Sequence, residues 1–235
     1  MKSLIYSLAI GVVMAAGTSC SDDKLPSVTP ADRGTVTDDQ GNVYNWVRLG
    51  DQMWTTSNAK NGTSLAEAVY YNNFEWSNVL SSDQAIEEYE TNYLPVYGNM
   101  MTMEDAVESA PEGWRLPTDE DWKKLERVLG MTDVDSKGYR GYGVAFALMN
   151  TDSGAELSLG FGGGCFPIKN YGWIKINQDF VGEHGYYWTS TIDDSYQEDY
   201  PMAYFRKITA NYGKVDRDCM RTDSYLSVRW VKDVK

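Results

Sequence analysis

The segment that most narrows the fold lies near the middle of the chain, where Pro117-Thr118-Asp119-Glu120-Asp121 opens a run carrying Trp122, Leu125 and Leu129 at i, i+3 and i+7. Thr118 suits an N-cap, the three carboxylates complement the positive end of a helix, and Gly130 supplies a stop. The spacing predicts a helix from Thr118 that packs through Trp122 and the leucines and turns Lys123, Lys124, Glu126 and Arg127 to solvent. Such a helix needs a surface to lie on. The second half offers one: Tyr186–Thr191, Met202–Ile208 and Tyr225–Val231 are rich in strand formers and separated by Asp, Asn and Gly turns. Weaker signals predict a hairpin of Val43–Leu49 and Gln52–Thr55 about Gly50-Asp51, and a first strand at Gly34–Thr37. Further helices are predicted over Thr102–Glu108 and Val144–Met149. Strand signals at Leu157-Ser158-Leu159 run into a glycine bend at Gly160–Gly164, and Ser57–Tyr97 reads as mostly loop with a short helix over Asp83–Tyr89. Helices ahead of antiparallel strands predict an α+β domain.

The first residues point to export. Met1-Lys2-Ser3 brings one positive charge, Leu4–Ala16 is apolar, and Gly17-Thr18-Ser19 are small residues leading into Cys20. This reads as a signal peptide over residues 1–19, too short for a comfortable membrane span. Small residues before a cysteine resemble the lipobox of bacterial lipoproteins, in which that cysteine is acylated and becomes the first mature residue. Ser21-Asp22-Asp23-Lys24 resembles the acidic tag that sends lipoproteins of Bacteroidetes-type bacteria to the outer cell surface. The plainer alternatives are ordinary cleavage that leaves Cys20 a thiol, and a solvated linker. Residues 20–33, with Pro26 and Pro30 among Ser, Thr and Asp, read as a flexible tether, and the folded domain is expected over residues 34–235. In an oxidising compartment Cys165 and Cys219 are either one disulfide or two isolated thiols.

Six segments carry a family resemblance: Gly41-Asn42-Val43-Tyr44; Gln52-Met53-Trp54 with Asn58; Tyr97-Gly98; Pro111-Glu112-Gly113-Trp114-Arg115-Leu116-Pro117-Thr118 with Trp122; Tyr187-Trp188-Thr189-Ser190-Thr191; and Ser227-Val228-Arg229. In this order they resemble the Fibrobacter succinogenes major paralogous domain, a family of bacterial surface lipoproteins, from about residue 35 to the C-terminus. That family looks like a branch of the C-type lectin-like fold, shared with the formylglycine-generating sulfatase-modifying enzymes. The resemblance implies two main helices and a mixed, mostly antiparallel sheet in which N- and C-terminal strands pair. The family commonly has cysteines where this chain has Ala110 and Trp230, so a large ring against a small residue would fill the volume of an absent bridge. The residues from Pro111 to Trp122 read as scaffold.

Charge and chemistry limit the function further. Lys+Arg 21 against Asp+Glu 34 gives a net charge of -13, which opposes nucleic-acid binding, and a mean hydropathy of -0.48 excludes a polytopic membrane protein. Cys165 and Cys219 lie far apart in sequence, so the paired-cysteine chemistry of the enzymatic relatives does not carry over. One histidine, His184, reads as a turn residue, no zinc or phosphate-loop pattern occurs, and no cofactor or metal is expected. Asp193-Asp194 and Glu198-Asp199 could hold calcium or act as acid and base, though a solvated turn suits them better. Tyrosine dominates the aromatics, and seven of the 17 fall between Gly185 and Tyr225. Tyrosines among Asp, Ser, Asn and Gly suit recognition loops, where rings bring contact area and small polar residues bring hydrogen bonds; alternatively they cover the half-buried face of a strand.

The expected ligand site is therefore Tyr187, Trp188, Asp193, Asp194, Tyr196, Glu198, Asp199 and Tyr200, an acidic, aromatic rim for a neutral or basic partner. The function expected is a non-catalytic lipoprotein, anchored through Cys20 in the outer membrane and facing the exterior, that binds an extracellular glycan or protein. An accessory structural subunit of an outer-membrane assembly is the alternative, with an enzyme akin to the sulfatase-modifying enzymes a remote third. Cys20→Ala is expected to move the protein from the detergent-extracted membrane fraction to the soluble fraction and to end incorporation of labelled fatty acid. Continued membrane residence of the variant, with no label in the parent, would contradict acylation.

Overall fold

In the computed structural model, which describes residues 27–62, 87, 89–149, 154–168, 173–176, 180–196 and 200–234, the first sheet joins the two ends of the chain. It is antiparallel, in the order β1 (Arg33–Thr37), β2 (Val43–Leu49), β3 (Gln52–Thr55) and β12 (Val231–Asp233), so the C-terminal strand pairs with the returning arm of the N-terminal hairpin. A second sheet has the order β4 (Met100–Met101), β11 (Leu226–Ser227), β8 (His184–Ile192), β9 (Met202–Thr209), β10 (Tyr212–Arg221) and β5 (Gly138–Arg140). Its pairings are antiparallel except between β11 and β8. A small hairpin joins β6 (Cys165–Ile168) to β7 (Trp173–Ile176). Among the described residues a π-helical turn over Tyr89–Tyr93 leads into α1 (Leu94–Tyr97), followed by α2 (Met103–Glu108), α3 (Asp119–Val128) and α4 (Val144–Met149). The domain is α+β, as expected. No helix among the described residues is long and apolar enough to cross a membrane.

Helix α3 starts as its sequence dictates. The Thr118 hydroxyl accepts from the Asp121 amide while the Asp121 carboxylate accepts from the Thr118 amide, which satisfies two donors that a helix start would leave orphaned. Arg115 and Gln52 also donate to Asp121, and Arg115 reaches Asp233, so the cap is tied to β3 and β12. Trp122, Leu125 and Leu129 are buried between the sheets with Val47, Leu49, Trp54, Tyr187, Ile208, Val215 and the inner side of α4. The ring of Trp122 lies 5.0 Å from Trp54 and 6.0 Å from Tyr187. On the other side of the second sheet Trp188, Phe205, Tyr186, Leu226 and Trp230 form a second cluster with Met101 and Ala106. Trp230 is fully buried in that cluster, and Ala110, partly buried, packs against the same cluster.

Several expectations change. Glu126, placed on the solvent face, is fully buried: its carboxylate accepts from Arg140 at 2.7 and 2.9 Å and from Arg206 at 2.7 Å. The cause is spacing, because Glu126 stands four residues after Trp122 and falls on the same stripe. Asp119, at the helix start, likewise accepts from Arg206 at 2.8 Å and from Arg217 at 2.7 and 2.8 Å. Leu157-Ser158-Leu159 is not a strand. Glu156 and Ser158 take left-handed backbone conformations, and the carbonyls of Leu157 and Ser158 turn inward to accept from Arg229. Tyr225–Val231 is not one strand but a crossing from the second sheet to the first. Tyr212–Arg221, which no strand signal marked, is the longest strand described. Tyr89–Tyr97, read as loop, is helical from its π turn onward; most of the helix expected over 83–89 lies outside the described residues. Within the expected tether, Val28 packs against the core and the Ala31 amide donates to the Arg48 carbonyl, so chain order begins before Gly34.

The disulfide between Cys165 and Cys219 is not formed; both thiols are free. Cys165 exchanges two backbone hydrogen bonds with Tyr225, at 2.9 and 3.0 Å, whereas Cys219 sits in β10 opposite Tyr204, so separate pairings hold them apart. Thiol titration of the denatured, unreduced protein is expected to find both of these cysteines reactive; an unreactive pair would mean that they are bridged. Replacing Glu126 by Ala should leave buried Arg140 without its carboxylate and buried Arg206 with Asp119 alone, and lower stability by about 3–5 kcal/mol in urea unfolding. Replacing the exposed Glu120, whose partner Arg127 is also exposed, should cost under about 1 kcal/mol. Equal effects would refute the buried role of Glu126.

Candidate functional site

Strand β8 is central in the second sheet and covered on both faces, so its neighbouring side chains are buried alternately in the two clusters. This decides the fate of two expected ligand residues. Tyr187 is buried, with its hydroxyl donating to the Gly160 carbonyl at 2.8 Å, and Trp188 is buried with Nε1 donating to the Met101 carbonyl at 2.8 Å. Both are core residues and leave the ligand set. Their hydrogen bonds show why a polar aromatic stands where Phe would pack: each ring also anchors a crossing strand or loop. The glycine bend is one of these crossings. At Gly185 a Cβ would lie 2.1 Å from the Gly160 carbonyl oxygen, so only glycine lets the bend pass β8. His184 is not a turn residue but the first residue of β8, with its ring 4.9 Å from that of Phe180.

Beyond the end of β8 the chain turns at Asp193. Its carboxylate accepts from Lys137 Nζ at 2.8 Å, from the Ser195 amide at 3.0 Å and hydroxyl at 2.6 Å, and from the Cys219 thiol at 3.3 Å. The Lys137 ammonium and the Ser195 hydroxyl hold this carboxyl well below the usual carboxylate range. Asp193 is thus buried structure, the anchor of the turn, and also leaves the ligand set. Burial and the Asp193 carboxylate push the Cys219 thiol up to about 12, so at neutral pH it is a protonated donor and a poor nucleophile.

The turn carries Asp194, Tyr196 and Tyr200 to the surface, with Tyr196 39% and Tyr200 43% exposed. Glu198 and Asp199 lie outside the described residues. Each exposed ring rests on a cation. Lys137 Nζ stands 5.0 Å from the centre of Tyr196 and 5.4 Å from that of Tyr204, while the Arg221 guanidinium lies 3.6 Å from the centre of Tyr200. Arg217 stands 4.1 Å over Tyr204, and Arg221 is in turn held by both carboxylate oxygens of Asp223. Of the expected acidic rim, the described part keeps Asp194 at the surface, while Lys137 offsets Asp193 and a cation lies against each of the two tyrosines. Lys137, Tyr204 and Arg221 escaped sequence reasoning because only strand pairing brings them to the turn: β9 with β10, which sets Cys219 opposite Tyr204 and Arg221 opposite Met202, and β10 with β5, which sets Arg217 opposite Gly138, next to Lys137.

The arrangement presents two half-exposed rings, each with one face spent on a cation, on a turn fixed from below. It can stack against a flat, polar partner; among the described residues no three His, Cys, Asp or Glu side chains gather as a metal site.

Comparison with known proteins gives one result. No curated protein and no solved structure matches the chain. Residues 47–232 match the Fibrobacter succinogenes major domain, a span that takes in β3, all four helices, the whole second sheet and the Pro111–Thr118 run that caps α3. The chain belongs to the Fibrobacter succinogenes major domain family.

Proposed function

We propose that this protein is a non-catalytic surface module that binds an extracellular glycan or protein through the turn carrying Tyr196 and Tyr200. The observation that carries this reading is the pair of half-exposed tyrosines, each backed by a cation, on a turn that Asp193 fixes through four hydrogen bonds. Rings held in place before the partner arrives lose little entropy on contact. The polar face of Tyr favours a hydroxyl-rich or peptide surface over a lipid one. Paired-cysteine chemistry is disfavoured by the protonated Cys219 and the wholly buried Cys165.

We read the fold as C-type lectin-like, which is supported by the shared sheet of the N- and C-terminal strands and by helices α2 and α3 packed beside a mostly antiparallel sheet. Cys20 would be the acylated first residue of the mature chain, and the anchor would place the domain on the outer face of the outer membrane.

The test uses the full-length protein in detergent on an array of glycans and purified extracellular proteins. The parent should be captured by at least one of them, and Tyr196→Ala with Tyr200→Ala should weaken that capture by about tenfold or more while leaving the melting temperature unchanged. A folded variant that still binds every partner of the parent would place the site elsewhere, and a parent captured by nothing would remove the reading.

A further inference from the structure

A second group of exposed tyrosines gathers toward the other end of β10: Tyr212 is its first residue, about 30 Å along the strand from Arg221, and Tyr139 stands in β5 opposite Asp216. Tyr139, Tyr142 and Tyr212 are 43%, 66% and 40% exposed. Tyr139 lies edge-on to Tyr212 with ring centres 5.1 Å apart, and Tyr142 lies edge-on to Phe146 at 6.3 Å. Tyr139 lies in β5 and Phe146 in α4, while Tyr142 and Tyr212 stand in or beside two turns that are locked to each other. The Gly143 amide donates to the Gly213 carbonyl at 2.9 Å, and a Cβ at Gly213 would sit 2.7 Å from the Phe146 ring. Gly141, Gly143 and Asn211 take left-handed conformations that these turns require, so the backbone under the rings is set without a ligand.

Beside Tyr139 a charged pair supplies polarity. Lys207 Nζ lies 4.8 Å from the centre of the Tyr139 ring and 2.9 Å from the Asp216 carboxylate. Asp216 is buried beneath that pair and fixes Lys207 against the ring, so the partly exposed ammonium and the three phenol hydroxyls are the polar groups offered beside the ring faces, a combination that suits the C–H side and the hydroxyls of a pyranose. The three exposed rings all carry hydroxyls, and no exposed Leu, Ile or Met accompanies them, which argues against the apolar face of a partner helix. The rings spread over β5, the turn after it and the first residue of β10, which suits a run of sugar units rather than one. A chain of net charge -13 repels acidic polymers.

We propose that Tyr139, Tyr142 and Tyr212 form a stacking platform for the sugar rings of a neutral polysaccharide, with Lys207, held in place by Asp216, as its polar flank. This site is independent of the Tyr196–Tyr200 turn and survives if that reading fails.

Affinity electrophoresis of the full-length protein in native gels containing xyloglucan, galactomannan, mixed-linkage β-glucan or yeast mannan tests it, with polygalacturonate as the polyanionic comparison. At least one neutral polymer should retard the parent, and polygalacturonate should not. Tyr142→Ala with Tyr212→Ala should weaken the retardation by about tenfold, while Phe at both positions should keep most of it. Tyr142→Ala alone, at the most exposed ring, keeps the test open if the double variant loses its fold. Tyr196→Ala with Tyr200→Ala should leave the retardation unchanged. Failure of every neutral polymer to retard the parent, unchanged retardation of a folded alanine variant, or equal retardation in polygalacturonate would overturn the platform.

Discussion

A guanidinium group with no carboxylate beside it holds the two sheets together. Arg229 is buried, and it donates to Asn58 Oδ1 at 2.6 Å, to the carbonyls of Thr55 and Leu157 at 2.8 Å, and to that of Ser158 at 2.9 Å. Burial lowers its pKa to about 10, which still leaves it charged at neutral pH. A buried charge is tolerated only when its donors are met, and here two separate parts of the chain must supply the acceptors to a third that carries the charge. The end of β3, the left-handed bend at Glu156–Ser158 and the crossing from β11 to β12 are fixed by that one requirement. Asn58 passes the constraint on, since its amide donates to the Tyr97 carbonyl at the end of α1. Thr55 and Trp230 complete the lock with reciprocal hydrogen bonds. The Ser227-Val228-Arg229 run is thus explained as scaffold.

The second layer of the fold is also ionic. Helix α3 meets the second sheet through Asp119 and Glu126 against Arg140, Arg206 and Arg217, with Lys123 bridging Asp119 at 3.2 Å and Asp135 at 2.8 Å. Burial alone would raise the Asp119 carboxyl, but Arg217 and Arg206 outweigh it and hold the group well below the usual carboxylate range. Directional pairs of this kind fix the rotation of α3 on the sheet, which an apolar stripe of one Trp and two Leu specifies only loosely. Arg217 also lies over Tyr204, so the network that seats the helix reaches the floor of the candidate site.

What could be read from the sequence was local. Thr118, the carboxylates after it and Gly130 announce the helix without help from the rest of the chain, and Gly50-Asp51 between two strand-forming runs announces the hairpin. What could not be read depends on partners distant in sequence. Glu126 looks like a surface residue until Arg140 and Arg206 arrive from strands 14 and 80 residues away. Strand β10 was hidden because Asp216, Arg217 and Asp218 resemble a solvated turn, yet Asp216 meets Lys207, Arg217 meets Asp119, and only the Asp218 carboxylate stays local, at the Cys219 amide. The choice left open for Cys165 and Cys219, one bridge or two thiols, has the same origin, since the pairing of β6 and β10 with different neighbours decides where each thiol goes.

The tyrosine excess carries the functional argument only after it is divided. Tyr44, Tyr89, Tyr93 and Tyr187 spend their hydroxyls inside the fold, on Asp38, Asn99, Gly162 and Gly160, and each bond ties a ring to a distant loop or turn. A phenylalanine there would bury as much apolar area and leave an acceptor unmet. Abundance alone therefore says nothing of a ligand, and Tyr187 shows how an adjacent Tyr-Trp pair misleads. The exposed rings differ in kind. Tyr196, Tyr200 and Tyr139 each lie against a cation that belongs to the framework, and Tyr142 and Tyr212 stand on turns whose backbone is already fixed. Rings immobilised at the surface lose side-chain freedom without the gain of full burial, a cost that folding alone does not repay and that a partner stacking on the open faces would.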